Sequence, residues 1–483
     1  MSNLLASLNV TASALNAFDL AIETTQNNVA NAQTPGYAAQ TQTLDAMPFD
    51  PEVGNMGGVS AGEIESSRDE FAEQNVHNQN TQLGAATQSV NSLTELQNLF
   101  PVTDGSGIAS ALNGLYSAFS GWAETPNDSN AQQVVLNNAA TVASQFQETA
   151  QGLSQFTQTT NGQIQQTVDD INQLGSQLAA DNQEIQGGDT NDAGLDANIH
   201  NTLDQLSQYV NFTATQQSDG TYSVLVDGQT PLVMGGTQFS LGFQMAQPAN
   251  PPPVNANGPP DAVILGSDGS DITSQVTGGQ LGSLLNLRNT LLPTYIGDAY
   301  QNGSINTLAQ QFADTVNGLL TSGNITDGPP VQTGVPLFTY DTTNPTNVAQ
   351  TLAVNTAIGA GQLAAIQPGP PEVANGTALA LANLSNPQSA AGEINGQSYS
   401  DYYGTMAANV GTLLNQATDQ QTAQQAAVTQ AENLRQQVSG VNLDQEAVTL
   451  VQFQNAYDAN SRFVTVIDDL TSDLINMVDT AAT

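Results

Sequence analysis

The chain has 483 residues, with four arginines and no lysine against 44 acids, a formal charge of −40. Affinity for nucleic acid or anionic lipid rests on Lys and Arg, so this balance excludes both partner classes. No cysteine is present, which removes disulfides, thiol catalysis and most structural zinc sites. At roughly 150 residues per domain the length predicts about three domains, and the lack of an uninterrupted apolar run of ~18 residues predicts no membrane span.

The first element read along the chain is a helix. Leu4, Leu8, Thr11, Leu15, Phe18, Ile22, Thr25 and Val29 step by threes and fours, a heptad seam with an almost uncharged outer face. Residues 38–75 are punctuated by Pro48, Pro51, Gly54, Gly57 and Gly58 and read as an irregular linker. Helical periodicity fills 76–210, including the Gln/Asn-rich run Val134–Gln186. Residues 211–276 change to period two: Thr221–Val226, the turn Asp227-Gly228 and Pro231–Met234 predict a hairpin in an inserted β domain with its own small core. Helix resumes at 277–323 and 400–439, while 324–399 is a mixed, Gly/Pro-punctuated insertion. The last element mirrors the first, with Leu450, Phe453, Tyr457, Val464, Ile467 and Leu474 forming a second seam over 440–483 and Asn442 placed to cap it. The expected fold is α+β and multidomain. Terminal helices 1–37 and 440–483 pair as a coiled coil, a central helical bundle follows, and a β domain is inserted into it. If the pair is antiparallel, Val464 and Ile467 are expected near Leu15 and Phe18. Alone, such a pair is marginal against its backbone entropy, which predicts loosely paired or disordered ends before assembly.

Chemistry is absent from the pattern. His77 and His200 are the only histidines and sit in no hydrolase or zinc motif, so both read as ordinary helix residues. Asp189–Gly194 begins like a calcium loop but fails at its later ligands, where Ala193 and His200 stand. No catalytic, cofactor or metal site is expected, and no enzyme.

What is specific is the end of the first helix: Asn28-Val29-Ala30-Asn31-Ala32-Gln33-Thr34-Pro35-Gly36-Tyr37. The residue before a proline is pushed out of the helical region and Gly permits positive φ, so Thr34-Pro35-Gly36 is a stop signal. As a string it resembles the signature of the flagellar rod, hook and hook-associated proteins. Ser439-Gly440-Val441-Asn442-Leu443-Asp444-Gln445-Glu446, followed by Gln452–Tyr457, is similar to the C-terminal motif of the first hook-associated proteins. Gly278–Arg288 is similar to their internal motif, and Ala349–Asn355 to a later segment.

The resemblance implies a structural protein of the hook–filament junction. It would form a ring with copies of itself, meet hook protein below and the second junction protein above, and present its C-terminal segment to an export chaperone. It implies export through the flagellar type III apparatus without a cleaved signal peptide. The assembly residues it implies are Asn28, Ala30, Asn31, Thr34, Pro35, Gly36, Tyr37, Ser439, Gly440, Val441, Asn442, Leu443 and Glu446. Other axial proteins of the flagellum, or a secreted surface-layer or adhesin-like protein, are the alternatives. The sequence departs from the family at Ala38-Ala39-Gln40, at Ile64-Glu65-Ser66 with an arginine only at Arg68, and at Leu195–Ile199. These departures predict that amide hydrogen bonds replace the family's arginine salt bridges.

Overall fold

The computed structural model of the chain describes residues 2–50, 55–102, 105–188, 192–248 and 253–481. Residues 189–191 of the calcium-like loop therefore lie outside the described residues. Helix α1 (Ser2–Asn31) stops three residues short of Thr34, and its last turn closes with the Thr34 N–H on the Asn31 carbonyl at 2.9 Å. One stretch of it, Leu4–Asn31, is long and apolar enough to cross a bilayer by length and composition. This corrects the expectation drawn from uninterrupted runs, because its Leu, Ala, Val, Ile and Phe residues outweigh the interspersed polar ones.

The segment 38–75 is not an irregular linker. Strands β1 (Gln40–Ala46) and β2 (Val59–Ser66) pair antiparallel from Gln40–Ser66 to Ala46–Val59, with an irregularity between Gln42 and Leu44. This ribbon lies along α1: a Cβ added at Gly58 would come within 2.7 Å of Val10 Cγ1. Its strands are mostly polar and half-exposed, so hydrophobic alternation could not reveal them. Asp69 then caps α2 (Glu70–Asn98), accepting from the Ala72 N–H at 2.9 Å.

The body is organised by α4 (Ser129–Gln186), whose 58 residues extend about 87 Å at 1.5 Å per residue. Its first half enters one hydrophobic core with α3 (Gly107–Glu124), centred on Phe119, Trp122, Phe146 and Phe312. Its second half, from Ile164 to Ile185, enters another with α5 (Ala193–Tyr209). The predicted single helical bundle is therefore two cores on one spine. Segment 324–399 belongs to the first, contributing Leu337, Phe338, Leu352, Leu363 and Leu381.

Residues 211–276 do form strands. β3 (Phe212–Gln216), β4 (Tyr222–Val226), β5 (Thr230–Met234) and β6 (Thr237–Gln238) make an antiparallel sheet in chain order, and β7 (Gly242–Ala246) pairs with β8 (Asp261–Leu265). The turn after β4 has Asp227 at φ 50° and Gly228 at φ 67°, the left-handed geometry tight hairpins use. The sheet does not bury a core of its own, however. Val224, Val226, Leu232, Val233 and Ile264 share one core with Ile171, Leu178, Ile199 and Leu203 of α4 and α5. Five fully buried side chains at about 1.5–3 kcal/mol each are at stake, so replacing 211–276 by a Gly/Ser linker should unfold this half of the body. A calorimetric melt retaining both halves would contradict it.

Past the sheet, α6 (Gly279–Asn286) and α7 (Ser304–Ser322) return to the body. Helix α8 (Tyr399–Ser439) runs back along α2, and α9 (Leu443–Ala481) pairs with α1. No residue of α1 or α9 joins either core cluster among the described residues. Both terminal helices are formed and paired here, and the ribbon gives α1 a second neighbour that the entropy argument did not include.

Candidate assembly site where the chain ends meet

Asn28 is the centre of the site. It is 1% exposed. Its Nδ2 donates to the Gln40 carbonyl at 2.8 Å and to Glu446 Oε1 at 3.0 Å. Its Oδ1 accepts from the Tyr37 hydroxyl at 2.8 Å and the Gln40 N–H at 2.9 Å. A primary amide has two donors and two acceptor sites, and here all four are engaged. One side chain thus ties α1, the turn after it, the first residue of the ribbon and the first turn of α9. Burial, with the charges of Glu446 and Asp196, pushes the Tyr37 hydroxyl up to about 12, so it remains a donor. Burial also raises Glu446 above the usual carboxylate range, against the lowering effect of the Asn28 hydrogen bond.

The two signatures touch at further points. The Ser439 carbonyl accepts from the Ala39 N–H at 2.9 Å, and its hydroxyl accepts from the Asp69 N–H at 3.0 Å. Asn442 Oδ1 accepts from the N–H groups of Asp444 and Gln445 at 3.1 and 3.2 Å, capping α9. Asn31 Oδ1 accepts from the Thr34 hydroxyl at 3.1 Å. Gly36 sits at φ 77°, and a Cβ there would collide with the Ala197 carbonyl oxygen of α5. The turn is therefore pressed onto the body at a point only glycine can occupy. Ala30, Thr34, Pro35 and Leu443 are exposed, while Gly440 and Val441 are half-buried.

The seam differs from the one drawn by periodicity. On α1 the buried residues are Thr11, Ala14, Ala17, Ala21, Thr24, Thr25 and Asn28. Leu15, Phe18 and Ile22 are half-buried, whereas Leu8 and Val29 are exposed. With α9 on one side and the ribbon on the other, close approach selects small side chains, and the larger ones lie at the margins. On α9, Leu450, Phe453, Tyr457 and Val464 are half-buried, Ile467 is buried and Leu474 is exposed. Asn28–Glu446 and Phe18–Phe453, the rings 6.3 Å apart, make the pair antiparallel. Carrying that register onward places Val464 level with Leu8, not with Leu15 or Phe18.

Beneath the turn lies an ion cluster that the sequence reading missed. Arg68 Nη1 meets Glu73 Oε1 at 2.6 Å; its Nη2 meets Asp196 Oδ2 at 2.6 Å and the Gly36 carbonyl at 2.7 Å. Arg435 Nη1 meets Glu73 Oε2 at 2.9 Å and Asp204 Oδ2 at 2.8 Å. Arginine salt bridges are therefore present, contrary to the expectation of amide replacements: Arg68, displaced in sequence from the family position, still reaches the turn. Both histidines are buried here too, His77 Nε2 lying 3.2 Å from Asp204 Oδ1 and His200 Nε2 2.9 Å from the Tyr222 hydroxyl. Glu73, His77 and Asp204 gather as metal ligands would, but Arg435 already contacts both carboxylates. Burial pushes Asp204 up, yet its contact with His77 and the charge of Arg435 hold it below the usual range.

His200 is driven well below its ordinary 6.5 by burial first, and then by the neighbouring Arg68 and Arg435 guanidiniums. The unfolded chain therefore binds this proton first as pH falls below 6.5, and the folded chain loses stability in that direction. One such group gives at most about 1.4 kcal/mol per pH unit. Urea unfolding should show stability falling as pH drops from 6.5 to 5, and His200→Gln should flatten that slope. An unchanged slope would mean that His200 is not the group responsible.

Comparison with known proteins supplies the family. The model for the helical domain of the flagellar hook-associated protein FlgK matches residues 93–338, just over half of the chain. The chain belongs to the FlgK family. Its ends match two further flagellar models, the basal body rod protein at 8–37 and the C-terminal part of the FlgEFG rod proteins at 434–477. It is 27% identical to flagellar hook-associated protein 1 of Bacillus subtilis, over 96% of each chain. It is 24% identical to the protein of that name from Escherichia coli, over 97% of this chain and 99% of that one. The solved flagellar hook junction protein FlgK from Burkholderia pseudomallei shares the fold, with a TM-score of 0.63 at 18% identity, across 76% of this chain and all of that one. The two end segments that match the rod-protein models meet around Asn28, Gly36 and Ser439.

Proposed function

We propose that the chain is a structural subunit of the flagellum, forming by self-assembly the ring that joins hook to filament. The observation that carries this is the knot at Asn28, where both terminal signatures are held in one hydrogen-bonded unit outside the body's two cores. Such a unit presents the α1–α9 pair as an element that neighbours can pack against. The pair leaves apolar side chains outside, with Val448, Val451, Phe463, Val466 and Leu470 each more than half exposed or close to it. A face of this kind suits burial by other axial subunits. Hook protein on one side and the second junction protein on the other are its partners in this reading. The C-terminal segment goes to an export chaperone, and passage is through the flagellar type III apparatus without a cleaved signal.

The test is electron microscopy of a deletion strain. Hooks without filaments, and flagellin shed into the medium, are expected; filaments of normal length would sink the reading. Returning the gene with Val464→Asp should fail to restore filaments, because it puts a carboxylate into the partly desolvated α1–α9 seam.

A further inference from the structure

The sequence holds seven Asn-Gly pairs, at Asn113, Asn161, Asn257, Asn302, Asn317, Asn375 and Asn395. In such a pair the backbone nitrogen of the glycine can attack the asparagine side-chain amide carbon, because glycine has no Cβ to bar the approach. The fold blocks six of them. Asn113, Asn161 and Asn317 lie inside α3, α4 and α7, where the helix holds the following N–H on a carbonyl of the preceding turn. The Gly258 N–H donates to the Asn255 carbonyl and the Gly376 N–H to the Val373 carbonyl, both at 3.1 Å. Asn375 is also tied by its own amide, which donates to the Ala123 carbonyl at 2.8 Å. Gly303 is buried, pressed against the backbone of Ile296 and Gly297.

Asn395-Gly396 is the exception. Ile394 and Gln397 exchange backbone hydrogen bonds at 2.9 and 3.1 Å, and the pair between them forms the turn, with φ of 53° and 77°. Both turn residues are exposed, and neither makes a hydrogen bond among the described residues. A Cβ added at Gly396 would meet nothing within 4 Å. We propose that Asn395 is a site of spontaneous deamidation in the folded chain, with water as the only co-reactant. The Gly396 nitrogen gives up its proton and bonds to Cγ of Asn395; the Cγ–Nδ2 bond breaks, and Nδ2 leaves with that proton as ammonia. Water then opens the cyclic imide: its oxygen bonds to one of the two ring carbonyl carbons, the bond from that carbon to nitrogen breaks, and a proton returns to nitrogen. Opening at Cγ gives aspartate. Opening at the main-chain carbonyl gives isoaspartate, whose backbone runs through the side chain and is one methylene longer. Closing the imide needs the turn to open, and the two bonds between Ile394 and Gln397 are what hold it shut. Ile394 is anchored in the core at 1% exposed and Ser398 caps α8, so the longer isoaspartyl chain is set between fixed ends and costs those two bonds.

The test is incubation of the full-length folded chain at mildly alkaline pH, with its peptic peptides weighed by mass spectrometry over time. The peptide holding Asn395 should gain the mass of an amide-to-acid exchange several-fold faster than those holding the other six pairs. In urea, where every pair is the same free dipeptide, the seven rates should converge. Asn395→Asp keeps a residue that tolerates positive φ but has no side-chain amide to lose, so the first acidic species seen on ion exchange should not form from it. The proposal is overturned if another pair converts as fast in the folded chain, or if Asn395→Asp still yields that species at the parent rate. It is overturned as well if Asn395 leads by the same margin in urea, since its sequence neighbours and not the exposed turn would then select it. None of these outcomes depends on the junction reading.

Discussion

Replacing Glu73 by Gln should lower the unfolding free energy by about 3–5 kcal/mol, the scale for removing one partner from a buried ion pair. Glu73 is 4% exposed and is the one carboxylate shared by Arg68 and Arg435. Gln keeps the shape but leaves two guanidiniums, Arg68 held by Asp196 and the half-buried Arg435 by Asp204, facing each other across a neutral amide. The expected measurement is a shift of the urea midpoint with the slope unchanged, since the surface exposed on unfolding stays the same. Because Arg68 and Glu73 are direct partners, the double variant Glu73→Gln with Arg68→Gln should cost less than the two single losses added together. A midpoint within error of the parent would show that the cluster contributes no stability.

Asn28→Asp should have an effect as large but in a different place. The carboxylate keeps two acceptors for Tyr37 and Gln40 but loses both donors, stranding the Gln40 carbonyl and setting like charge against Glu446. About 2–4 kcal/mol is expected, from one unmade hydrogen bond and one repulsive contact. None of it falls on either core, because the α1–α9 pair lies outside both. Hydrogen exchange at Gln40 and in the first turn of α9 should therefore accelerate while the body's melting holds, and filaments should be lost. A lowered melt with slow exchange at the knot would place the coupling elsewhere.

The contrast between these residues explains what could be read from the sequence. Thr34-Pro35-Gly36 was legible because a stop signal is local chemistry: proline restricts its neighbour and glycine accepts positive φ. The surface that receives it, at Ala197 on α5, was not, since nothing in either segment encodes their meeting. Arg68 bonds to Glu73 five positions away but to Asp196 at a separation of 128, and Arg435 reaches Glu73 across 362 positions. A one-dimensional pattern has no means of joining such groups. Strand signals held for Tyr222–Val226, which is apolar and bounded by turn residues, and failed for Gln40–Ala46, where Gln and Thr alternate without a buried face. The seam was drawn from its largest residues, whereas the helix buries its smallest, because the ribbon was missing from that reading.

The placement of the four arginines also bears on how the protein survives outside a cell. Trypsin-like proteases need a Lys or Arg they can draw into an extended strand at their active site. There is no lysine, Arg68 and Arg435 are fastened into the ion cluster, and Arg288 is 2% exposed with its guanidinium on Asn161 and the Pro260 carbonyl. Only Arg462 is exposed. It lies in α9 two residues before Val464, and a cut there would detach Ile467 and everything after it. The folded chain thus offers such enzymes a single vulnerable peptide bond, on a helix that neighbouring subunits would cover. Its resistance to basic-specific digestion would be decided by whether that helix is packed or bare.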